Sequence, residues 1–214
     1  MNEFEMPEQE ETAVLPTPQA DPEPKMVEPA TLGQRLTLFI ITAVILLLDQ
    51  SSKYWIENNL RLGEVWAPFP SLEPFFRIFH VSNTGAAFGL LPSGGVIFGV
   101  LAVIVGATII YYNHTLPNGQ LGFRVVLGLL LGGAWGNMID RVRIGHVTDF
   151  LDFGPWPVFN VADMSIVAGV IIMGWFTYQE HRREQAMQTE AKQQELDDRE
   201  QQTLDEWSTG SSDA

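Results

Sequence analysis

Four long apolar runs leave this chain few ways to fold. The first is free of charge from Leu36 to Leu48 and continues past Asp49 and Lys53 to about Ile56. The others run from about Val96 to Tyr112, from Leu121 to Ile139 and from Val161 to Tyr178. Each is roughly 20 residues, the length that a hydrocarbon core of about 30 Å requires. A soluble protein built on them would have too few amphipathic helices to cover the apolar surface. The expected fold is therefore an all-α membrane protein with four transmembrane helices at about residues 35–56, 93–112, 121–140 and 160–178. Small residues inside the third run, Gly128, Gly132, Gly133, Ala134 and Gly136, permit close helix approach in lipid.

Charge is distributed as such a fold requires. The formal net charge of the 214 residues is -14, but residues 1–30 hold eight acids against Lys25, and residues 180–214 hold ten against four bases. The part between is almost neutral. Residues 1–30 are acidic and proline-rich, which predicts a disordered tail and does not resemble a secretory signal peptide. Residues 180–214 read as a charged tail with good helix propensity but no apolar stripe, so a solvated helix or nothing stable is expected there. Residues 31–179 form the membrane domain. Within it, the aromatic and β-branched segment at about 60–90, broken by Pro70 and Pro74, predicts short strands resting at the membrane surface. There is no basic stripe and the tails are acidic, which argues against nucleic acid as a partner. The absence of cysteine excludes disulfides and thiol chemistry.

An even number of spans places both tails on one side, although lysine and arginine counts in the short loops do not decide which side. The same topology gathers the unusual polar residues at the opposite rim. Asp49 and Lys53 lie at the far end of the first span and Asn83 and Gly85 in the segment after it. Asn137, Asp140 and Arg141 lie at the far end of the third span. Asp149 lies in the following loop, and Asn160 and Asp163 at the near end of the fourth. Several have ordinary structural readings. Asp49 and Lys53 fit an i, i+4 pair whose lysine stem snorkels toward water, Asp140 and Arg141 fit a helix-end ion pair, and Asp152 fits a solvated loop residue. Asn160 fits an N-cap that puts Asp163 at N3, near the positive end of the helix dipole. Asp149 has no such reading, since it sits in the half-apolar segment Val147-Thr148-Asp149-Phe150-Leu151.

A carboxylate at a membrane helix end is costly, and two close together cannot both ionise easily. One then serves as general base on a water while the other protonates the substrate, as in aspartic proteases. A metal site is disfavoured because no histidine lies at ligand spacing from Asp149 or Asp163, and no Gly-x-Ser-x-Gly elbow supports a serine nucleophile.

Five motifs in order carry a resemblance to a known family: Asp49-Gln50-Ser51-Ser52-Lys53, Asn83-Thr84-Gly85-Ala86-Ala87-Phe88, Gly136-Asn137-Met138-Ile139-Asp140-Arg141, Val147-Thr148-Asp149-Phe150 and Phe159-Asn160-Val161-Ala162-Asp163. Together they resemble bacterial lipoprotein signal peptidase, the type II signal peptidase. The resemblance implies a four-helix aspartic endopeptidase of the bacterial inner membrane; the two-carboxylate mechanism needs no cofactor, and a monomer among membrane lipids is expected. Its substrate is a diacylglyceryl-modified prolipoprotein, cut just before the lipid-bearing cysteine. It further implies that Asp149 and Asp163 are the catalytic pair and that Asn137, Arg141 and Asn160 orient them. Asp49, Lys53, Asn83, Gly85 and Asp140 support the site or contact substrate. Both termini are then cytoplasmic, and the site, with its small β-rich cradle, is extracytoplasmic. Two other readings stay open at this point. A proton-coupled transporter is disfavoured by the lack of an internal repeat and by carboxylates at a rim instead of the midplane. A membrane scaffold that presents its acidic tails is distinguishable by deleting those tails.

Overall fold

The computed structural model describes residues 28–85 and 95–210. In chain order its elements are α1 (Leu32–Asn59), β1 (Val65–Trp66), β2 (Arg77–Asn83), α2 (Gly95–Thr115), α3 (Leu121–Ile144), β3 (Val147–Asp152) and α4 (Val161–Gly210). The four helices are all long and apolar enough to cross a membrane, at the places hydropathy predicts. The tail expected for 1–30 lies outside the described residues as far as residue 27, and so do Ala86, Ala87 and Phe88 of the second motif. Residues 28–30 depart from that tail: Pro29 bridges Pro117, the Glu28 carbonyl accepts from the Asn118 amide, and Ala30 is buried.

Helix α3 is the centre of the bundle and packs against each of the other three. The most apolar stretch of α3 is 44% buried within the chain, against 17% in α1, α2 and α4, so the outer helices need lipid to cover them. Glycines let α3 approach its neighbours so closely. A Cβ at Gly128, Gly132 or Gly136 would come within 2.6–2.7 Å of Ile41, Ile45 or the Asp49 carboxylate on α1, respectively. One residue around the helix, a Cβ at Gly133 would collide with the Ala162 carbonyl on α4. Substitution there forces the bundle apart, and the first casualty is the position of Asp49 against α3.

The sheet is antiparallel with order β1-β2-β3 and sits at one end of the bundle. Two of its strands come from the segment after α1, where short strands are expected. The third, β3, corrects the reading of residues 147–152 as loop, since it pairs with β2 from Asn83↔Val147 to Arg77↔Asp152. A register shift between Ile78 and Val81 places two residues of β2 opposite Phe150 alone, a bulge that bends the strand. Alternation along β3 then turns Thr148 and Phe150 toward α1, where Phe150 packs with Ile56 and Ile78, and turns Asp149 to the other face. Asp152 is no solvated loop residue. It is 3% exposed, its carboxylate accepts from Arg77 Nε at 2.6 Å, and it also takes the Gly154 amide at 2.9 Å.

Local signals set the helix ends that frame the sheet. Gly145, at φ 80°, adopts the left-handed conformation that closes α3, with its amide on the Arg141 carbonyl. At the start of α4, the Asn160 side chain accepts from the Asp163 amide at 2.9 Å, and the Asp163 carboxylate accepts from the Asn160 amide at 3.4 Å. This reciprocal capping box is the arrangement expected for Asn160 and Asp163. Helix α4 then continues past the membrane span without a break to Gly210, so the first part of the charged carboxyl-terminal tail is helical and solvated.

Candidate functional site

Asp149 enters the site from β3 and Asp163 from the first turn of α4. Asn160 joins them: its Nδ2 donates to Asp149 Oδ1 at 2.6 Å while its Oδ1 caps the Asp163 amide. Asn137 on α3 donates to Asp163 Oδ1 at 2.7 Å, and its own carbonyl accepts from Lys53 Nζ at 3.0 Å and Asn160 Nδ2 at 3.0 Å. The lysine can only donate, so it fixes which way the Asn137 amide faces. Asn83 on β2 donates to Asp149 Oδ2 at 2.9 Å and accepts the Gly85 amide at 3.1 Å. Each carboxylate is thus held at both oxygens by side-chain or backbone amides.

Behind this layer lies a buried charge cluster. Lys53 is completely buried and makes ion pairs at 2.8 Å with both Asp49 and Asp140, which are equally buried. The expected snorkelling of Lys53 toward water is therefore wrong, as is the Asp140–Arg141 pair. Asp140 turns to Lys53, and its Oδ2 takes the Thr148 amide at 3.2 Å. Asp49 also accepts the Ala162 amide at 2.9 Å and so ties α1 to the start of α4. Gln50 donates to Asp49, to Asp140 and to the Gly136 carbonyl. Its role was hidden at the sequence level because only the neighbouring charges stand out. A small neutral amide becomes important once it is found wedged between two carboxylates.

Arg141 faces the cavity instead. It donates to the Asn137 carbonyl at 3.1 Å and to the Gly85 carbonyl at 3.4 Å, and its guanidinium lies 5.2 Å from the centre of the Phe98 ring. Its Nε is buried without a hydrogen-bond partner among the described residues. Buried donors without partners are uncommon, and the Arg141 side chain lines a cavity of about 1200 Å³ that also receives Asp149, Asp163, Asn83 and Asn137. The remaining wall is apolar. Phe153, Trp156 and Phe159 close the sheet side, and Met164, Val167 and Ile171 continue it down α4 along a face that the chain leaves exposed.

The two carboxylates and every other candidate residue, Asp49, Lys53, Asn83, Gly85, Asn137, Asp140, Arg141 and Asn160, therefore meet in one assembly. Burial is the main influence on Asp149. Reinforced by the nearby Asp163 charge, it pushes the Asp149 carboxyl up to about 7, against the opposing pull of Asn83, Asn160 and Lys53.

Residues 41–179, which include all of these side chains, match the family profile described as signal peptidase (SPase) II. The chain belongs to the signal peptidase II family. A lipoprotein signal peptidase of Moorella thermoacetica is 44% identical over 140 residues, covering 65% of this chain and 91% of that protein. One from Halothermothrix orenii is 38% identical over 146 residues, covering 68% and 97%. Among solved structures, a bacterial membrane enzyme determined by the in meso method at 2.3 Å resolution superposes with a TM-score of 0.65 at 30% identity, over 73% of this chain and 94% of that one. A second, at 1.9 Å resolution, gives 0.60 at 31% identity, over 69% and 94%. The profile match takes in most of the bundle and the whole sheet, and residues 1–40 and 180–214 lie outside it.

Proposed function

We propose that Asp149 and Asp163 are the catalytic pair with which this signal peptidase removes the signal peptide from diacylglyceryl-modified prolipoproteins, cutting before the lipid-bearing cysteine. The observation that carries this reading is the pair itself: two carboxylates bridged by one asparagine at the mouth of an apolar cavity that descends along α4. Such a pair shares one proton. Burial favours the protonated form of Asp149, and the positive amino end of α4 favours a charge on Asp163 in its first turn, so on this reading Asp149 is the resting acid and Asp163 the base.

In the first step Asp163 takes a proton from water as the water oxygen attacks the scissile carbonyl carbon, and Asp149 gives its proton to the carbonyl oxygen. In the second, the carbon–nitrogen bond breaks. Asp163 returns its proton to the leaving amine of the cysteine, Asp149 recovers one from the hydroxyl of the intermediate, and a carboxylic acid remains on the signal peptide. The Arg141 guanidinium lines the same cavity and is the charged donor available there to a substrate carbonyl. Met164, Val167 and Ile171 offer an apolar track for the signal helix and for the acyl chains of the substrate. The exported part of a prolipoprotein lies outside the cytoplasm, which supports an outward-facing sheet end and cytoplasmic termini. On this reading the protein acts as a monomeric enzyme in the bacterial inner membrane.

Purified enzyme incubated with a lipid-modified prolipoprotein is expected to release a product whose amino terminus is the lipidated cysteine, and to leave the unmodified precursor intact. Cleavage elsewhere, or equal cleavage of both precursors, contradicts the substrate assignment. Loss of cleavage on adding a chelator contradicts the cofactor-free mechanism.

The protonation assignment is tested by pH. With Asp149 as the acid, activity is present below its pKa and lost as pH rises through about 7. Asn83 stabilises the charged form of Asp149, so Asn83→Ala raises that pKa. The alkaline limb of kcat then moves up by roughly one pH unit, because a hydrogen bond to a charged group is worth about 1.5–3 kcal/mol and one unit about 1.4 kcal/mol. A limb that stays in place, or moves down, assigns the acid elsewhere.

A further inference from the structure

Thr148, the residue before Asp149, is completely buried, and all three of its polar atoms are held by different helices. Its amide donates to Asp140 Oδ2 on α3 at 3.2 Å, and its carbonyl accepts from Asn160 Nδ2 at the head of α4 at 3.4 Å. Its hydroxyl donates to Glu57 Oε1 on α1 at 2.8 Å. Asp140 and Asn160 belong to the site already described, whereas Glu57 lies outside every motif that defines it. The same Glu57 oxygen also receives Arg143 Nη2 at 2.7 Å, and Arg143 in turn lies 3.8 Å from Asp140.

We infer that Glu57 and Thr148 form a positioning clamp on the back of β3 that holds Asp149 against Asp163. The geometry leaves the clamp a specific task. Asp149 and Asp163 stand on elements of different kinds, a strand and a helix, so their separation depends on how firmly the strand is docked on the bundle. Strand alternation puts Asp149 toward the cavity and Thr148 toward α1, so a bond made by the Thr148 side chain fixes the strand without occupying the substrate's space. Arg143 is partly exposed, at 39%, so its ion pair with Glu57 adds little energy on its own. It serves to turn the Glu57 carboxylate toward the threonine. Reacting groups must be placed to within a fraction of an ångström, and a misplacement of about 1 Å costs on the order of 10²-fold in rate. A clamp of this kind is read in kcat, since neither Glu57 nor Thr148 lines the cavity that takes the substrate.

This inference rests on the catalytic reading of Asp149, and the test separates the two. Glu57→Ala, Glu57→Gln, Thr148→Val, Thr148→Ser and the double variant Glu57→Ala with Thr148→Val are compared with wild type and Asp149→Asn, using purified folded protein and a lipid-modified prolipoprotein. Glu57→Ala and Thr148→Val are expected to lower kcat by about 10- to 100-fold with little change in KM. Glu57→Gln keeps an acceptor and Thr148→Ser keeps the hydroxyl, so both remain close to wild type. The double variant is no slower than either single one, because both remove the same bond. Wild-type kcat in Thr148→Val, which preserves shape, overturns the clamp, and so do losses that multiply in the double variant. Those results leave the catalytic reading standing as long as Asp149→Asn is inactive. Cleavage by Asp149→Asn at the wild-type rate overturns the catalytic reading itself.

Discussion

Asp149→Asn and Asp163→Asn each lower prolipoprotein cleavage by roughly 10²- to 10⁴-fold, the range for loss of one general acid–base group, while the amount of folded, membrane-inserted protein stays near wild type. An asparagine keeps the outline of the side chain and one acceptor oxygen, so Asn83 and Asn160 still find a partner at position 149, and Asn137 still finds one at position 163. What is lost is the ability to give or take a proton. The effects do not multiply in the double variant, because the proton moves between the two carboxylates and removing either one already breaks the cycle. Single-turnover cleavage by purified protein is the measurement that decides. Wild-type rates in either single variant sink the assignment of the pair.

Lys53→Met has the largest expected effect on stability. The lysine is shared at 2.8 Å by two carboxylates, Asp49 and Asp140, and all three side chains are fully buried. Removing the lysine leaves Asp49 without a cation and Asp140 with only Arg143, at 3.8 Å, a kind of change that costs about 3–5 kcal/mol. Asp49 holds the Ala162 amide and Asp140 the Thr148 amide, so the damage reaches the start of α4 and the base of β3 together. Thermal unfolding in detergent is expected to show a large drop in Tm, and combining Lys53→Met with Asp140→Asn is expected to recover part of it, because one uncompensated charge is removed. An unchanged Tm in Lys53→Met, or a further fall in the double variant, contradicts this account.

The parts of this structure that were legible in the sequence are those fixed by neighbours along the chain. Four spans follow from hydropathy alone, and the Asn160 cap with Asp163 at N3 follows from a spacing of three residues. Pairings across the fold were not legible. Residues 147–152 look like a loop because two of the six are aspartates, yet they form a strand whose partners lie in β2, more than sixty positions away. Asp152 looks solvated until Arg77 is found beside it. Lys53 has a visible partner at Asp49, one turn back, which suggests an exposed pair. The second partner, Asp140, comes from α3, and it is this second contact that explains why the lysine is buried. Topology nonetheless brought the candidate residues to the correct end of the bundle, because four spans in series allow only two rims.

The uninterrupted course of α4 has a mechanical corollary. Fifty residues at about 1.5 Å each make a rod of roughly 75 Å, of which a bilayer core takes up about 30 Å. Asp163 is the third residue of that rod, so one stiff body carries a carboxylate of the proposed catalytic pair at one end and a polar mast at the other. A probe attached to the mast near Gly210 stands well clear of the bilayer and cannot crowd the substrate's entrance. It still reports on any tilt of the body that bears Asp163.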